Sequence, residues 1–331
     1  MINKKAHLNK DLWETEKLEK EPTRNGFGRG LLQAGKNDDQ VVALCADLAE
    51  STRSHWFREE FPDRYIEMGV AEQNLAATAA GFAAMDKIPF IMSYAAFSPG
   101  RNNEQIRTTI SLNDVPVKVV GCHAGLSVGP DGATHQALED IALMRVQPNM
   151  SVIVPCDAEE AYKATLAIAQ SAKPAYLRLA RAKAPVFTTK QTPFEIGKGI
   201  ILEEHEDPDV LIIATGDMVY QALLASQKLN NEHGIASEVM NIHTIKPLDT
   251  KLILEHAKKA GHVVTIEEHQ RAGGMGSAVA EYLAENHPVP MRIIGVDDRF
   301  GQSGTKEELY KEYGLDVASV VSEINMFLKN K

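Results

Sequence analysis

Short apolar runs alternate with longer alanine-rich stretches along the first half of this chain. The runs VVALC (41–45), IPFIMSY (88–94) and VKVVGC (117–122) are rich in β-branched residues, and the stretches between them have helical character. Strands of about 4–8 residues that alternate with helices of about 10–15 are typical of a parallel sheet covered by helices on both faces. The pattern therefore predicts an α/β domain.

The alternation lapses once and then resumes. Residues 184–199 are rich in proline, threonine and glycine, as expected of a linker between domains. Beyond them, DVLIIATG (209–216), ASEVMNIHTI (236–245), HVVTIEEH (262–269) and MRIIGV (291–296) predict the strands of a second, smaller α/β domain. The predicted organisation is a leader at 1–25, a first domain at 26–188, a linker at 189–196 and a second domain at 197–331.

The composition narrows the range of partners. The chain has 331 residues, with 35 basic and 45 acidic side chains, and its net charge of −10 disfavours non-specific binding to nucleic acid or to anionic lipid. No apolar run reaches the roughly 18 residues that a membrane span requires, and residues 1–25 lack the apolar core of a signal peptide. We therefore expect a cytoplasmic protein in which individual arginines bind any anion.

Polar side chains gather in the loops that follow the strands of the first domain. Ligands of parallel α/β sheets bind outside the carboxyl ends of the strands, so these loops are the expected place for a site. The loop GLSVGPDGATHQ (125–136) is long, glycine-rich and polar, which favours a functional role. The residues that these loops bring to one edge are Asp47, Ser51, His123, Asp131, His135, Arg178 and Arg181. Together they favour a site for a polar, phosphorylated substrate.

A glutamate begins the helical part of IEMGVAEQNLAATAAG (66–81), and the residues alone leave two interpretations of it open. Glu72 is either an acid in the first turn, favoured by the helix dipole by about 0.3–1 kcal/mol, or a functional carboxyl group. In the second case, the small residues around it keep water away and favour a protonated carboxyl that can exchange a proton.

The second domain has one glycine-rich segment, AGGMGSAVAEYL (272–283), which follows a predicted strand and begins a helix. Such a segment can bind a phosphate at the helix N-terminus, or it can simply allow tight packing of the helix on the sheet. The sequence leaves both interpretations open.

Several motifs resemble the transketolase family. GVAEQN (69–74), SYAAFSPGRNNEQIR (93–107), CHAGLSVGPDGATHQALEDIA (122–142) and LRLARAK (177–183) are similar to its pyrimidine-binding domain. VTIEEHQRAGGMGSAVAE (264–281) is similar to its C-terminal domain. No segment resembles the diphosphate-binding domain with which full-length members begin. The resemblance is therefore to the C-terminal subunit of a split transketolase.

The resemblance implies that the enzyme transfers a two-carbon ketol unit from a ketose phosphate to an aldose phosphate, with thiamine diphosphate as cofactor. Glu72 would hydrogen-bond N1′ of the cofactor's aminopyrimidine and favour the imino tautomer that removes the thiazolium proton. Phe97 and Tyr94 would form an apolar wall for the pyrimidine ring, and Arg101 would lie beside the cofactor. Mg²⁺ or a similar divalent ion is expected on the partner subunit, and no metal site is predicted here.

The resemblance also implies roles at the sugar. His123 and His135 would contact the carbonyl and hydroxyl oxygens of the donor sugar and transfer protons, and Asp131 would accept a hydrogen bond from a substrate hydroxyl. The residues expected to bind the terminal phosphate are Arg24, Ser51 and Arg181. Arg178 lies three residues before Arg181 and is an alternative phosphate ligand.

The implied partner is an N-terminal subunit that carries the diphosphate-binding domain, within an α2β2 heterotetramer. Three alternatives stay open: the beta subunit of a 2-oxoacid dehydrogenase, half of a 1-deoxyxylulose-5-phosphate synthase, and a non-catalytic regulatory relative. The motif VGPDGATHQ (128–136) argues against the first, since decarboxylation needs no site for sugar hydroxyls. SYAAFSPGRNNEQIR argues against the second. The joint presence of Glu72, Phe97, His123 and Asp131 argues against the third.

Overall fold

The structure, a computed structural model, describes residues 1–329. Its strands are β1 (Lys20–Glu21), β2 (Val41–Cys45), β3 (Tyr65–Glu67), β4 (Ile88–Tyr94), β5 (Lys118–Cys122), β6 (Ser151–Ile153), β7 (Ala175–Arg178), β8 (Ala184–Pro185), β9 (Ile200–Glu203), β10 (Val210–Ala214), β11 (Ser237–Asn241), β12 (Thr244–Lys246), β13 (Val263–Gln270) and β14 (Met291–Val296).

Its α-helices are α1 (Thr23–Asn37), α2 (Ala49–Thr52), α3 (His55–Glu60), α4 (Glu72–Ala83), α5 (Asn103–Gln105), α6 (Asp140–Arg145), α7 (Ala158–Ala169), α8 (Met218–His233), α9 (Thr250–Ala260), α10 (Met275–Asn286), α11 (Lys306–Glu312) and α12 (Val317–Lys329). Short 3₁₀ helices occur at Lys4–Ala6, Pro62–Arg64 and Leu126–Val128, and a π-helical segment at Ile106–Ser111 continues α5. Within residues 1–329, no helix is both long and apolar enough to cross a lipid bilayer.

Seven strands form the sheet of the first domain, in the order β12-β6-β7-β5-β4-β2-β3. Neighbouring strands run parallel, except that β12 is antiparallel to β6. Every residue of β2, β5 and β7 is buried, because helices cover both faces of the sheet. The predicted α/β class, with a parallel sheet between two layers of helices, is confirmed.

Helices α1 and α7 pack closely together on one face of this sheet. Gly26 allows the close approach, since a Cβ atom at that position would lie 1.9 Å from the carbonyl oxygen of Ala158. Asp157 caps α7, and its side chain accepts a hydrogen bond from the Glu160 N–H at 2.9 Å. The packing fixes the start of α1, which carries Arg24, next to the carboxyl edge of the sheet.

Five strands form the second sheet, in the order β14-β13-β10-β11-β9. Only β9 runs antiparallel to its neighbour among these described strands. Helices α8 and α12 pack together over one face, and α9 and α10 contribute to the core on the other face. The smaller α/β domain predicted from the sequence is therefore present.

The strand predicted at 236–245 is divided in the structure. β11 lies in the second sheet, whereas β12 crosses to the first sheet and pairs with β6. The crossing is supported by a hydrogen bond of 2.8 Å from the Val154 N–H to the carbonyl oxygen of His243. Ile242 and Ile245 belong to a cluster of buried side chains that runs through both domains. The chain of the second domain therefore contributes one strand to the first sheet, and the two domains share part of a core.

The charged N-terminal residues are part of the folded protein. Leu12 and Leu18 are buried in the same core cluster as α8. The Tyr220 hydroxyl donates a hydrogen bond of 2.9 Å to the carbonyl oxygen of Leu12, and β1 pairs with β8. Residues 1–18 therefore pack against the second domain, and β1 leads from there into α1 of the first domain.

Candidate active site

The loops that follow the strands of the first sheet converge at its carboxyl edge, as the sequence predicts. Asp47 and His123 come just after β2 and β5, and both have a left-handed backbone with φ of 57°. Residues other than glycine rarely adopt this conformation, and it concentrates at functional sites. Asp47 is held by a hydrogen bond of 2.7 Å from its N–H to Oε1 of Glu67. The local backbone is strained where the candidate residues lie.

Glu72 is the first residue of α4, and its side chain is 1% exposed. Its Oε1 accepts a hydrogen bond of 3.3 Å from the Ser93 hydroxyl, and its Oε2 accepts one of 2.6 Å from Nη1 of Arg101. Both partners lie outside α4, so the carboxylate faces away from the first turn of its own helix. Its geometry therefore favours the functional interpretation of Glu72 over the simple first-turn acid.

Aromatic rings connect the surroundings of Glu72 to the glycine-rich loop. The guanidinium carbon of Arg101 lies 4.9 Å from the centre of the Phe97 ring. Phe97 is 6.1 Å from Tyr94 and 5.4 Å from His135, measured between ring centroids. The Tyr94 ring lies 4.0 Å from that of His123. The four rings therefore form a continuous row from Arg101, which binds the carboxylate, to His135 in the loop and His123 before it.

His123 lies beside a group of arginines. Nη1 of Arg24 is 3.4 Å from Nε2 of His123, and since a guanidinium only donates, Nε2 acts as the acceptor and Nδ1 carries the hydrogen. Burial, together with the charges of Arg24 and Arg181, lowers the pKa of His123 to about 3. Its ring is therefore neutral at physiological pH. Within residues 1–329, the buried Nδ1 of His123 has no hydrogen-bond partner, so its donor capacity is unused.

Three predicted anion ligands lie around the same space. Nη1 of Arg24 donates to the carbonyl oxygen of Ser51 at 2.8 Å, and the Ser51 hydroxyl accepts a hydrogen bond of 3.1 Å from Tyr94. Nη1 of Arg181 donates to the carbonyl oxygen of Val128 at 2.8 Å and lies 3.6 Å from Oδ1 of Asp131. Arg24 is therefore part of the candidate site, although it comes from the first helix of the chain.

Arg178 lies elsewhere. Its side chain is 5% exposed, its Nε donates to Oδ2 of Asp140 at 2.8 Å, and its Nη2 donates to the carbonyl oxygen of Glu268 at 3.0 Å. These contacts turn Arg178 towards the second domain. Of the two arginines considered from the sequence, only Arg181 lies at the candidate site.

Three neighbours of the site were missed by reasoning from the sequence. Ser93 orients the Glu72 carboxylate. Arg53, with φ of 69°, donates to Oδ1 of Asn25 at 2.7 Å, and its charge contributes to the lowered pKa of His123. Gln136 is buried and donates from Nε2 to the carbonyl oxygens of two loop residues. Ser93 and Gln136 lie inside motifs quoted above, and Arg53 lies two positions after Ser51, so these positions were the available signal.

The glycine-rich segment of the second domain is occupied by the protein itself. The N–H groups of Met275 and Gly276, in the first turn of α10, donate to the Glu267 carboxylate at 2.7 Å and 2.8 Å. A Cβ atom on Gly274 would lie 2.3 Å from that carboxylate. The helix N-terminus therefore binds a carboxylate of the protein itself. Of the two interpretations from the sequence, binding of an external phosphate and tight packing of the helix on the sheet, the structure favours tight packing.

Comparison with known proteins yields matches along most of the chain. The family model of the transketolase pyrimidine binding domain matches residues 19–186, and that of the transketolase C-terminal domain matches residues 197–320. A 6-deoxy-6-sulfo-D-fructose transketolase subunit from Clostridium sp. (strain MSTE9) is 40% identical over 92% of this chain and 94% of its own length. One of the subunits of an apulose-4-phosphate transketolase from Phocaeicola vulgatus is 36% identical over 92% of this chain and 97% of its own length.

A solved structure described as a split gene transketolase, inactive beta4 tetramer, is 42% identical to this chain. The match covers 93% of this chain and 98% of that one, with a TM-score of 0.86. Fold and matched regions thus define a pyrimidine-binding domain joined to a transketolase-type C-terminal domain, and the first of these implies dependence on thiamine diphosphate. The chain belongs to the transketolase family, and the resemblance noted in its motifs is confirmed.

Proposed function

We propose that this chain is the C-terminal subunit of a split transketolase that transfers a two-carbon ketol unit from a ketose phosphate to an aldose phosphate. The proposal is supported by relatives of nearly the same length whose names describe them as transketolase subunits. The buried carboxylate, the aromatic wall and the arginines of the site supply the chemistry that such a subunit needs. A cytoplasmic location accords with phosphorylated sugar substrates.

The observation that carries the proposal is the arrangement of Glu72, Arg101 and Phe97. The planar guanidinium of Arg101 hydrogen-bonds the buried carboxylate and lies over the Phe97 ring. An aminopyrimidine is planar, as a guanidinium is, and it needs an acid at its ring nitrogen and an apolar ring against its face. The buried carboxylate and the aromatic ring beside it therefore match what the pyrimidine end of thiamine diphosphate requires.

When bound, thiamine diphosphate supplies a thiazolium ring that stores the electron pair of the broken C–C bond. Glu72 would hold a proton at N1′ of the aminopyrimidine, and Ser93 would keep the carboxylate oriented towards it. Phe97 and Tyr94 would exclude water from the ring face. Arg101 borders the same position. The diphosphate and its divalent ion would be held by the partner subunit.

The glycine-rich loop would bind the reacting part of the sugar. The neutral His123 can donate from Nδ1 to a carbonyl oxygen, and Asp131 can accept a hydrogen bond from a hydroxyl. His135, whose ring lies against Phe97, is the candidate for proton transfer between sugar and cofactor. A sugar lacking the matching hydroxyl would leave a polar group unpaired, which gives such a site its discrimination.

The far end of the sugar would carry an anion. Arg24 and Arg181 offer guanidinium donors with a geometry suited to phosphate, and Ser51 adds a hydroxyl. A sulfonate has the same charge sign and oxygen geometry, and one relative is named for a sulfonated fructose. The anion pocket would therefore admit a phosphate or a sulfonate, with the sugar hydroxyls deciding between donors.

The partner would be an N-terminal subunit with the diphosphate-binding domain, in an α2β2 heterotetramer. The solved relative described as a tetramer of four beta chains is also described as inactive. That description supports both parts of the proposal, self-association of this chain and a need for a second polypeptide. Contacts between copies would bring two such sites into one assembly.

The proposal is tested by reconstitution. The purified chain alone should not convert xylulose 5-phosphate and ribose 5-phosphate, and turnover should appear when the N-terminal subunit, thiamine diphosphate and Mg²⁺ are added. Pyruvate with glyceraldehyde 3-phosphate should release no CO₂, which separates this enzyme from a synthase that decarboxylates. 6-Deoxy-6-sulfofructose serves as a second donor. Full turnover by the lone chain would refute the split enzyme, and reconstituted CO₂ release would assign a different reaction.

A further inference from the structure

A carboxylate of the second domain accepts hydrogen bonds from the glycine-rich loop (125–136). Glu268, in β13, is 3% exposed. Its Oε2 accepts a hydrogen bond of 3.0 Å from the Ser127 N–H, and its Oε1 accepts one of 3.1 Å from the Ser127 hydroxyl. Gly125 packs directly on this carboxylate, since a Cβ atom there would lie 2.5 Å from its carbon. Both carboxylate oxygens are thus used by one residue of the loop.

The other end of the loop is tied to the same residue of β13. Nη2 of Arg178 donates to the carbonyl oxygens of Ala137, at 3.3 Å, and of Glu268, at 3.0 Å. Asp140 fixes the guanidinium through Nε at 2.8 Å. A bidentate carboxylate at one end and a buried, ion-paired arginine at the other therefore attach the loop to the second domain.

Gln136, the last residue of the loop, contacts backbone carbonyl groups in its first half. Its Nε2 lies 3.2 Å from the carbonyl oxygens of Leu126 and Gly129 and 3.0 Å from that of Gln302 in the second domain. These contacts connect the two arms of the loop to each other and to the segment before α11. Gln136 and Glu268 therefore both hydrogen-bond loop residues whose neighbours carry the candidate side chains.

We propose that Glu268 is a positioning residue, which through Ser127 sets the conformation of the loop that presents His123, Asp131 and His135 to the sugar. The proposal rests on the proposed function in one respect, because only that function makes the loop a sugar-binding element. Through Glu268, the second domain would then influence how the sugar is bound. Glu268 would therefore affect the reaction without contacting the sugar or the cofactor. Glu267, its neighbour on the opposite face of β13, would have no such role.

The first test measures the loop itself and needs neither cofactor nor partner. In the purified chain, hydrogen–deuterium exchange of a peptide covering residues 123–137 should become about tenfold faster in Glu268→Ala, because the hydrogen bond to the Ser127 N–H is lost. Glu268→Gln keeps an acceptor for that N–H and should restore slow exchange. Glu267→Ala is the matched control, with similar burial and a different target, and should leave the loop unchanged.

The second test uses the reconstituted enzyme. Glu268→Ala should raise KM for the ketose donor about tenfold, while hydrogen–deuterium exchange at the thiazolium carbon stays at the wild-type rate. Glu268→Gln should restore KM, which a general loss of stability would not allow. If Glu268→Ala fails to fold, Ser127→Ala takes its place, with a smaller rise of about threefold expected because the N–H bond remains.

The outcomes separate the two proposals. Loop exchange at the wild-type rate in Glu268→Ala, or in Ser127→Ala where that variant replaces it, would overturn the positioning role, whatever the enzyme's reaction. A faster loop with an unchanged KM would overturn the link to sugar binding. Absence of ketol transfer in the reconstituted wild-type enzyme would overturn the proposed function, while the exchange measurements on the chain alone would still decide whether Glu268 holds the loop.

Discussion

Glu72 in the first domain and Glu267 in the second are both buried carboxylates at the N-terminal end of a helix, but their partners differ. Glu267 accepts hydrogen bonds from two backbone N–H groups in the first turn of α10. Glu72 accepts its bonds from two side chains, and one of these, Arg101, is 48% exposed. Backbone donors cannot leave without unfolding the helix, whereas an exposed arginine can turn away.

Structural and functional buried carboxylates differ in the kind of group that donates their hydrogen bonds. Burial alone does not distinguish them, since both carboxylates are almost inaccessible. A carboxylate whose donors belong to the backbone is committed to the fold. A carboxylate whose shortest hydrogen bond comes from an exposed side chain can exchange that donor for a ligand, as the proposed function requires of Glu72.

The largest effect is expected for Glu72→Gln. A positioned acid–base group contributes about 10²–10⁴ in rate, so kcat of the reconstituted enzyme should fall by at least about 100-fold. The fold should be retained, because only side-chain bonds are altered. The measurement is hydrogen–deuterium exchange at the thiazolium carbon, with Glu267→Gln as the control that keeps the wild-type rate. An unaltered exchange rate in Glu72→Gln would remove Glu72 from the mechanism.

The second largest effect is expected on the free energy of unfolding, through the titration of Glu267. Burial raises the pKa of Glu267 from 4.5 to about 7. Between these values the folded protein retains a proton that the unfolded chain releases, so stability falls as pH rises through this window. One pKa unit corresponds to about 1.4 kcal/mol, which makes this contribution of the order of 3 kcal/mol.

Chemical denaturation between pH 4.5 and 7.5 tests this prediction. Glu267→Gln does not titrate and should therefore lose part of the decline in unfolding free energy with rising pH. Burial also raises the pKa of Glu160 to about 7, so some decline should remain. If the decline in Glu267→Gln equals that of the wild type, the carboxyl is already ionised in the folded protein at low pH.

The smallest effect is expected for Arg101→Met, which keeps an apolar contact with Phe97 and removes the guanidinium from Glu72. Half-exposed ion pairs contribute up to about 1 kcal/mol, so thiamine diphosphate should bind up to about fivefold more tightly once this competitor is gone. The Kd is measured by titration of the reconstituted enzyme. Weaker binding would instead make Arg101 a direct ligand of the cofactor, and Arg107→Met, on the adjoining helix, controls for loss of charge.

Much of the fold follows from local pattern. Apolar runs mark β2, β4, β5 and β7 because strands buried on both faces need continuous hydrophobic sequence. The strands β1, β3, β8 and β9 were not predicted, and each has only two to four residues. The single strand predicted at 236–245 was wrong for a related reason: the sequence does not reveal that its end pairs with a different sheet.

The candidate site could be predicted in outline only. Parallel strands place their following loops at one edge, so Ser51, His123 and Arg181 were expected to lie together and do so. The binding roles assigned to them stay predictions. The bond between Ser127 and Glu268 joins residues 141 positions apart, and nothing local signals such a contact. The burial of Arg178 likewise depends on the second domain, which sequence reasoning about the first could not include.

The strand β12 has a consequence for the modularity of this protein. It belongs to the second domain by position in the chain, yet it covers β6 at the edge of the first sheet. A first domain excised at the linker would expose that edge to pairing with other copies. A chimera that exchanges second domains between relatives would replace the edge strand as well. The pair of domains, and not either one, is therefore the smallest unit that recombination can move intact.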